Sequence, residues 1–186
     1  MTLNRLAMAA AFLTLPGAAL AVEATKLDTT LTQAEVEAAQ QAWGEGLVRI
    51  AHDYDIGGID RARDSAAAVL DGAYGHDMGP VLFKPTLAGG EQTFRTTPEG
   101  ALAYFIGHDD DFPQDQGFAL KGWTGVEVEN AAIFIAGDTA LTMGHVHITG
   151  PDGAVTTVDK TWGFQRDAAG DLRIVLHHSS LPYGVN

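Results

Sequence analysis

The spacing of apolar and polar residues changes from helical to strand-like along the chain. Between residues 32 and 74, apolar side chains recur every three or four positions, as on the buried face of an amphipathic helix. Beyond residue 118, short runs alternate between apolar and polar residues, as in strands with one buried face. Helices followed by strands predict an α+β fold, with the helices packed on one face of a curved, mostly antiparallel sheet.

Three helices are predicted from their start signals and apolar stripes. Thr32 and Glu35 form a capping box, and Gly57-Gly58 ends or turns the helix that follows. A second helix spans 59–74, and a short third helix starts at Thr97. The apolar stripe residues are Val36, Ala39, Trp43, Leu47, Ile50, Ala66, Val69, Leu70 and Ala73, with Leu102, Tyr104 and Phe105 in the third helix.

A short strand is predicted at 79–86, where Pro85 limits it or places it at an edge. The later strands are predicted at 121–129, 131–135, 139–149, 155–165 and 172–180. Their turns at 137–138, 151–153 and 169–171 are short, so neighbouring strands should be antiparallel. Such a sheet under helices leaves an open mouth between the two layers, a usual place for a pocket.

The last predicted strand ends in His177-His178-Ser179-Ser180. Alternation places His177 and Ser179 on one face, together with Arg173 and Val175. An imidazole and a hydroxyl about 7 Å apart can hold a small polar molecule. Ordinary hydrogen-bonded residues at a strand end would give the same pattern.

The first 21 residues have the pattern of a secretory signal peptide. A weakly basic start precedes an apolar run over 6–18, and Ala19-Leu20-Ala21 is a small-x-small cleavage site. We expect cleavage near Ala21, a flexible segment at 22–31 and one domain over 32–186. The expected location is the periplasm, or the exterior after secretion.

The charge and composition of the chain limit the classes of partner and of site chemistry that we expect. The formal net charge of −13 argues against nucleic acid and anionic membrane surfaces. The chain has no cysteine, which excludes thiolate chemistry, cysteine-ligated zinc and a disulfide scaffold. No later segment has the pattern of a transmembrane helix, so we expect no membrane partner.

Two histidines on one predicted strand suggest a metal site. His145 and His147 are two residues apart and therefore share a strand face. With His177 or His178 they form a three-histidine set suited to zinc and an activated water. Because an exposed strand face can also carry such a pair, the metal site is one of two alternatives.

Two further constellations are weaker. The run Asp109-Asp110-Asp111, with Asp115 nearby, lacks the spacing of a calcium loop and is better explained as a solvated acidic loop. Ser179, His177 and Asp159 form a catalytic triad only on paper, because no nucleophile elbow accompanies them.

Several segments occur in an order that resembles a known family. Residues 81–86 read VLFKPT, 93–95 TFR, 100–105 GALAYF, 159–164 DKTWGF and 177–182 HHSSLP. Together they closely resemble the iota-class carbonic anhydrases over about 32–182. The domain of that family is similar to the association domain of calcium/calmodulin-dependent protein kinase II, an NTF2-like cone.

The resemblance implies reversible hydration of CO2 to bicarbonate and a proton by a homodimeric cone. It implies that Thr86, Tyr104 and Ser179 hold bicarbonate or the reacting water, with His177 beside them. Both metal-dependent and metal-free members are described in the family. His145 and His147 are outside the family pattern, so the resemblance favours a site without a metal cofactor over zinc or manganese.

A metal-free mechanism can be written for these residues. Apolar CO2 needs apolar walls, for which Leu82, Phe105 and Trp162 are candidates. The three hydroxyls can donate to the developing oxyanion. His177, whose unperturbed imidazole pKa is about 6.5, is predicted to take or relay the proton of the attacking water.

Two other functional classes remain open from the sequence. One is a non-catalytic assembly or ligand-binding module, as in the kinase association domain. The other is an isomerase or hydrolase on the same fold, for which Asp159 would be the acid or base inside the cone. Because NTF2-like folds host many functions, the fold alone does not decide between these classes.

Overall fold

The structure is a computed structural model that describes residues 30–184. The elements are α1 (Gln33–Ala73), β1 (Leu82–Lys84), α2 (Pro98–Ile106), β2 (Gly125–Ala136), β3 (Thr139–Thr149), β4 (Val155–Arg166) and β5 (Leu172–Ser180). Single turns of 3-10 helix occur at Gly90–Gln92 and Phe118–Leu120. The predicted α+β class is confirmed. The predicted signal peptide lies outside the described residues.

The capping box fixes the start of α1 against the sheet. Thr32 Oγ1 accepts from the Glu35 N–H at 3.2 Å, and the Glu35 carboxylate accepts from the Thr32 N–H at 2.8 Å. The same carboxylate accepts from Arg166 on β4 at 2.8 Å. Leu31 is buried and its N–H donates to the Gly137 carbonyl at 2.8 Å. Of the segment 22–31 that was predicted to be flexible, residues 22–29 lie outside the described residues, and Leu31 is anchored to the β2–β3 turn.

Helix α1 folds back on itself at Gly58, where φ is 70° and ψ is −163°. Arg61 donates to the Asp53 carboxylate at 2.7 Å, and Ser65 also hydrogen-bonds it. Residues 53 and 65 would be about 18 Å apart in a straight helix. The predicted turn at Gly57-Gly58 is confirmed as a sharp kink that lets both arms of α1, 33–57 and 59–73, cover the sheet.

The five strands form one sheet in the order β1-β5-β4-β3-β2. Strands β2 to β5 are antiparallel neighbours, and β1 pairs with β5 in parallel. The two strands predicted at 121–129 and 131–135 are one strand, β2. A bulge between Asn130 and Ala132 interrupts its register with β3 but not its pairing.

The helices cover one face of the sheet, and the hydrophobic core lies between the two layers. Trp43, Leu47 and Ile50 on α1 are buried there, as are Trp162 and Phe164 on β4. Across residues 30–184, no helix combines the length and the apolar character required to cross a bilayer.

Candidate active site

A bulge on β5 decides which of its side chains face the core. The register with β4 shifts after Ile174 and leaves Val175 as an extra residue. As a result, Ile174, His177 and Ser179 are all buried on the inner face. The shared face of His177 and Ser179 is confirmed. The prediction that Arg173 and Val175 share this face is wrong, because the bulge breaks the alternation between them and His177.

Two hydroxyls meet where β1 and β5 end. Thr86 Oγ1 donates to Ser179 Oγ at 2.6 Å. The parallel pairing of β1 with β5 carries the chain to this point, since Lys84 lies opposite His178. The Lys84 ammonium donates to the Ser179 carbonyl at 3.0 Å and the Thr86 carbonyl at 3.4 Å. Two predicted site residues are thus held together by side-chain and backbone contacts.

Tyr104 on α2 supplies a third hydroxyl. Its ring packs edge-on against Phe83 and stacks on Phe118, with centroids 5.8 and 5.4 Å away. Among the described residues its buried hydroxyl has no hydrogen-bond partner of good geometry. Burial raises the pKa of Tyr104, and the neighbouring Thr86 hydroxyl and Leu87 backbone partly oppose that shift. Tyr104 therefore keeps its proton and has a donor free for a guest beside Thr86.

His177 lies deeper and is in contact through both ring nitrogens. Its Nδ1 is 2.8 Å from the Tyr74 hydroxyl, and its Nε2 is 2.6 Å from the Lys160 amine. Burial, and then the charge of Lys160, hold the pKa of His177 well below its usual value. These contacts and the low pKa disfavour His177 as a base that takes the proton directly from water, because its charged form is unfavourable. Its predicted role as a proton relay stays a prediction.

The contacts of His177 continue to α1. The Trp43 indole N–H donates to the Tyr74 oxygen at 2.9 Å. Tyr74 follows α1 directly, and the N–H of Gly75 donates to the Ile174 carbonyl on β5 at 3.0 Å. Burial raises the pKa of Tyr74, so its hydroxyl stays protonated. The resulting chain of contacts from Trp43 through Tyr74 and His177 to Lys160 joins α1, β5 and β4.

Lys160 is a site residue that sequence reasoning missed. It faces inward from β4, directly opposite Ser179 on β5, and is 5% exposed. Its amine lies 4.6 Å from the centre of the Trp43 ring and 5.2 Å from that of Trp162. Burial lowers the pKa of Lys160 to about 7. The sequence did contain a signal for this inward orientation. Every second residue of β4 faces the core, and Lys160 is two positions from each of the inward residues Val158 and Trp162.

Apolar side chains surround these polar groups. Phe83 lies 4.5 Å from His177 between ring centroids and stacks on Phe105 at 6.1 Å. Trp162 is also buried and packs against His177. The positions of Phe105 and Trp162 fit the predicted walls. Leu82 does not, because it is 59% exposed on the outer face of β1, and its neighbour Phe83 takes the inward position.

The predicted three-histidine metal site does not form. His145 and His147 lie on the outer face of β3, where they approach Asp159 and Glu129 at 3.4 Å. His177 lies on the inner face of β5, so the sheet separates it from this pair. His178 is exposed on the outer face, but it completes no metal-binding group with them in the described part of the chain. Within residues 30–184, no cluster of three or more histidine or carboxylate residues has metal-binding geometry.

The outward position of Asp159 excludes two further predictions. Its side chain is 47% exposed on the outer face of β4. Both the Ser179-His177-Asp159 triad and an isomerase acid or base at Asp159 require that residue inside the cone. Neither arrangement is present.

The acidic loop behaves differently at its two ends. Asp109, Asp110 and Asp111 are at the surface or half-buried, as a solvated loop predicts. Asp115 instead pairs with Arg95 at 3.1 Å, and both side chains are at most 5% exposed. This buried ion pair ties the loop after α2 to the segment between β1 and α2.

A separate groove of about 1160 Å³ lies between α1 and β2. Gln40, Arg49 and Val126 are among its lining residues. None of the three hydroxyl residues lines it, and neither does His177 or Lys160. The chemistry is concentrated at the β1–β5 end of the cone, so we place the candidate site there.

Comparison with known proteins gives a family match over most of the chain. The model of the family "metal-independent carbonic anhydrase" matches residues 34–181. A metal-independent carbonic anhydrase of Nostoc sp. (strain PCC 7120 / SAG 25.82 / UTEX 2576) is 59% identical over 157 residues, which are 84% of this chain and 77% of that protein.

Solved structures give the same result for the fold. The crystal structure of a cyanobacterial iota-carbonic anhydrase complexed with bicarbonate is 56% identical, covers 88% of this chain and all of its own, and has a TM-score of 0.85. A putative calcium/calmodulin-dependent protein kinase II association domain from Xanthomonas campestris is 19% identical with a TM-score of 0.54, and covers 87% of this chain and 95% of its own. The latter shows the fold alone and gives no support to an assembly function.

Proposed function

This chain belongs to the metal-independent carbonic anhydrases, and we propose that it hydrates CO2 reversibly at the hydroxyl site formed by Thr86, Tyr104 and Ser179. One observation carries the proposal. Thr86 and Ser179 are in direct contact at 2.6 Å beside the unpaired donor of Tyr104, between buried aromatic walls. Such a site offers hydrogen bonds at one end and an apolar surface for CO2 at the other.

The hydroxyls act on the oxygen atoms of the reactants. When water attacks the carbon of CO2, negative charge develops on the oxygens that become bicarbonate. The Tyr104 hydroxyl can donate to that charge without first breaking a hydrogen bond, because it has no partner of good geometry in the described site. Thr86 and Ser179 can exchange their mutual contact for contacts with the guest. Donors fixed before reaction reduce the cost of reorganisation in the transition state.

No protein-bound metal enters this scheme. The family is metal-independent by its description, and the one histidine inside the described site contacts Tyr74 and Lys160 through its two nitrogens. We expect CO2 hydration measured by stopped flow to survive exhaustive chelation, with metal content determined on the same sample. Activity that disappears on chelation and returns with zinc or manganese would contradict the metal-free site.

Paired variants test the hydroxyls. Ser179→Ala removes an inward hydroxyl, and Ser180→Ala removes its outward neighbour on the same strand. Tyr104→Phe has a matched control in Tyr183→Phe, because Tyr183 is 90% exposed. We expect each site variant to lose about 10²-fold to 10³-fold in kcat, as when one oxyanion donor is removed, and each control to keep its activity. If a site variant and its control lost the same factor in kcat, the proposed hydroxyl site would be rejected.

We also propose that the protein is a homodimer that pairs through the outer face of the sheet. One cross-strand row on that face consists of Phe134, Leu141, Gly163, Leu176 and Leu82. Phe134 and Leu82 are each more than half exposed, and Met143 in the next row is 62% exposed. A contiguous apolar row of this kind on a soluble domain is suited to burial against a second copy.

Sedimentation equilibrium tests the dimer. Leu141→Glu places a charge in the middle of the row and should convert a dimer to a monomer, because an unpaired buried charge is costly. Ile56→Glu is the control, since Ile56 is an exposed apolar residue on α1, away from the outer face of the sheet. A wild-type protein that sediments as a monomer would overturn the proposal.

We propose finally that residues 1–21 direct export and are removed near Ala21. The support is their sequence pattern, with an apolar run and a small-x-small site. Expression of the full chain in a Gram-negative host, followed by fractionation and N-terminal sequencing, provides the test. Periplasmic protein that begins at Val22 is the expected result, and cytoplasmic protein that retains Met1 would contradict it.

A further inference from the structure

The hydroxyl site as described lacks a group that can accept a proton. Hydration of CO2 releases one proton from water, and an alcohol hydroxyl is too weak a base to keep it at neutral pH. Burial raises the pKa of Tyr104, so its hydroxyl stays protonated. His177 contacts Tyr74 and Lys160 through its two ring nitrogens, and burial keeps its pKa well below the usual value. The other basic groups near Ser179 are Lys84, which donates to the Ser179 carbonyl, and Lys160.

We propose that the side-chain amine of Lys160 accepts the proton of the hydration reaction and then faces the bicarbonate as an ammonium. This inference rests on the function proposed above and adds a catalytic residue to it. Lys160 lies in the segment 159–164 that resembles the family, and the resemblance assigns it no role.

The position of Lys160 fits this role. Lys160 and Ser179 are directly opposite on β4 and β5, and both point inward. Opposite residues in antiparallel strands have Cβ atoms about 4.5–5.5 Å apart. The amine is 2.6 Å from His177 Nε2. Lys160 is thus an inward-facing amine on the strand next to Ser179, and the proposal requires the proton to pass from the hydroxyl site to this neighbouring side chain.

The surroundings allow both charge states of the amine. In the described part of the chain, no carboxylate lies within ion-pair distance of Lys160 to hold it charged. Its titratable contact is His177, whose other ring nitrogen contacts Tyr74 after α1. Lys84 from β1 and Tyr104 from α2 approach the hydroxyl side of the same site. Two indole faces favour the ammonium, whereas burial favours the neutral amine.

The step balances without another reactant. The water oxygen forms a bond to the carbon of CO2, and one C=O electron pair moves onto oxygen. The water proton leaves to the lone pair of the Lys160 nitrogen. The products are bicarbonate and an ammonium, so a positive charge arises next to the new negative charge. Bicarbonate departs, and transfer of the proton to buffer restores the neutral amine.

The pH dependence of the unmodified enzyme is the first test. For hydration, kcat/KM should rise with pH through a single ionisation near the pKa of about 7 given for Lys160. For bicarbonate dehydration, kcat/KM should fall over the same range, because that direction needs the ammonium. A hydration profile without an ionisation between about pH 6 and 8 would overturn the proposal and needs no variant.

Variants assign the ionisation to Lys160. Lys160→Met cannot take a proton, and Lys160→Arg stays charged. We expect both to lose at least about 10²-fold in hydration kcat, and the acid limb of the profile to disappear. Lys121→Met, at an exposed lysine, is the control and should match the wild type. Near-UV circular dichroism checks that each variant is folded.

The outcomes separate this proposal from the function on which it depends. A wild-type protein without any CO2 hydration rejects the proposed function itself. An active wild type together with a folded Lys160→Met variant of unchanged rate and profile rejects only Lys160. Recovery of Lys160→Ala by added methylamine, absent for Ser179→Ala, supports the amine as the missing base.

Discussion

At the scale of single residues, Lys160 is subject to opposing effects on its charge. Contact with two indole faces stabilises a desolvated ammonium by about 2 kcal/mol per favourable ring. Removal from water costs several kcal/mol. Burial lowers the pKa of Lys160 to about 7. The fold therefore keeps a lysine whose neutral form is accessible near neutral pH.

The lowered pKa of Lys160 in the folded chain should make the free energy of unfolding depend on pH. The unfolded chain binds a proton at Lys160 up to its ordinary pKa of about 10.4, but the folded chain releases it near 7. The free energy of unfolding should therefore rise with pH between about 7 and 9.5, by up to about 1.4 kcal/mol per unit. His177 is neutral throughout this window, because its pKa is well below 6.5.

Urea unfolding at several pH values measures the effect. Lys160→Met should remove the slope and be most stable relative to the wild type near pH 7. Lys121→Met should keep the wild-type slope. Parallel curves for the wild type and Lys160→Met would show that the lysine is not desolvated in the folded protein.

Only part of the site could be predicted residue by residue. Thr86, Tyr104 and Ser179 came from the resemblance of their segments to a family, and the structure brings all three together. The low pKa of His177 could not be predicted. It depends on burial and on Lys160, which lies 17 positions away in the sequence. Lys160 was overlooked because a lysine in a strand usually faces water.

At the scale of elements, the kink of α1 depends on one backbone conformation. Gly58 has φ 70° and ψ −163°, a combination that is essentially restricted to glycine. No atom would clash with a Cβ at this position. We expect Gly58→Ala to destabilise the fold by about 1–3 kcal/mol through backbone strain alone. Thermal or urea unfolding would measure this difference.

Gly72 in the second arm of α1 provides the matched control. It is helical, exposed and also has open space where a Cβ would lie. Gly72→Ala should stabilise the protein by about 0.4–1 kcal/mol, because alanine restricts the unfolded chain. If both substitutions changed the free energy of unfolding in the same direction, backbone strain at Gly58 would not explain the result.

Bulges mark the limit of element prediction here. Capping and periodicity gave α1, its kink, α2 and the later strands nearly to their observed ends. The extra residues near Ala131 in β2 and at Val175 in β5 could not be found, because a bulge keeps strand-like composition while it breaks alternation. Because of the bulge at Val175, Arg173 and Val175 do not share the inner face with His177, as alternation had predicted.

At the scale of the whole molecule, acidic residues outnumber basic residues 24 to 11. Repulsion among them should oppose the compact state, and salt should screen it. We expect the urea midpoint to rise between about 10 mM and 150 mM salt, as the screening length falls from about 30 Å to about 8 Å. A falling midpoint would mean that the ion pairs of Arg61, Arg166 and Arg173 contribute more to stability than the repulsion removes.

The sheet gives the molecule two distinct faces. The inner face carries the hydroxyls, Lys160 and the core, and the outer face carries an apolar row next to His145 and His147. Composition and alternation identify both sets of residues. They do not tell which face the helices cover, and this uncertainty allowed a metal site to be drawn across the sheet from His145 to His177.

The contact between Thr86 and Ser179 joins positions 93 residues apart through the parallel pairing of β1 with β5. Closing so long a loop is entropically costly, whereas the hairpins of β2 to β5 form between sequence neighbours. We therefore expect β1 to dock late during refolding. Circular dichroism should recover first, and CO2 hydration should return only with the final phase, which makes enzymatic activity a specific reporter of the last folding step.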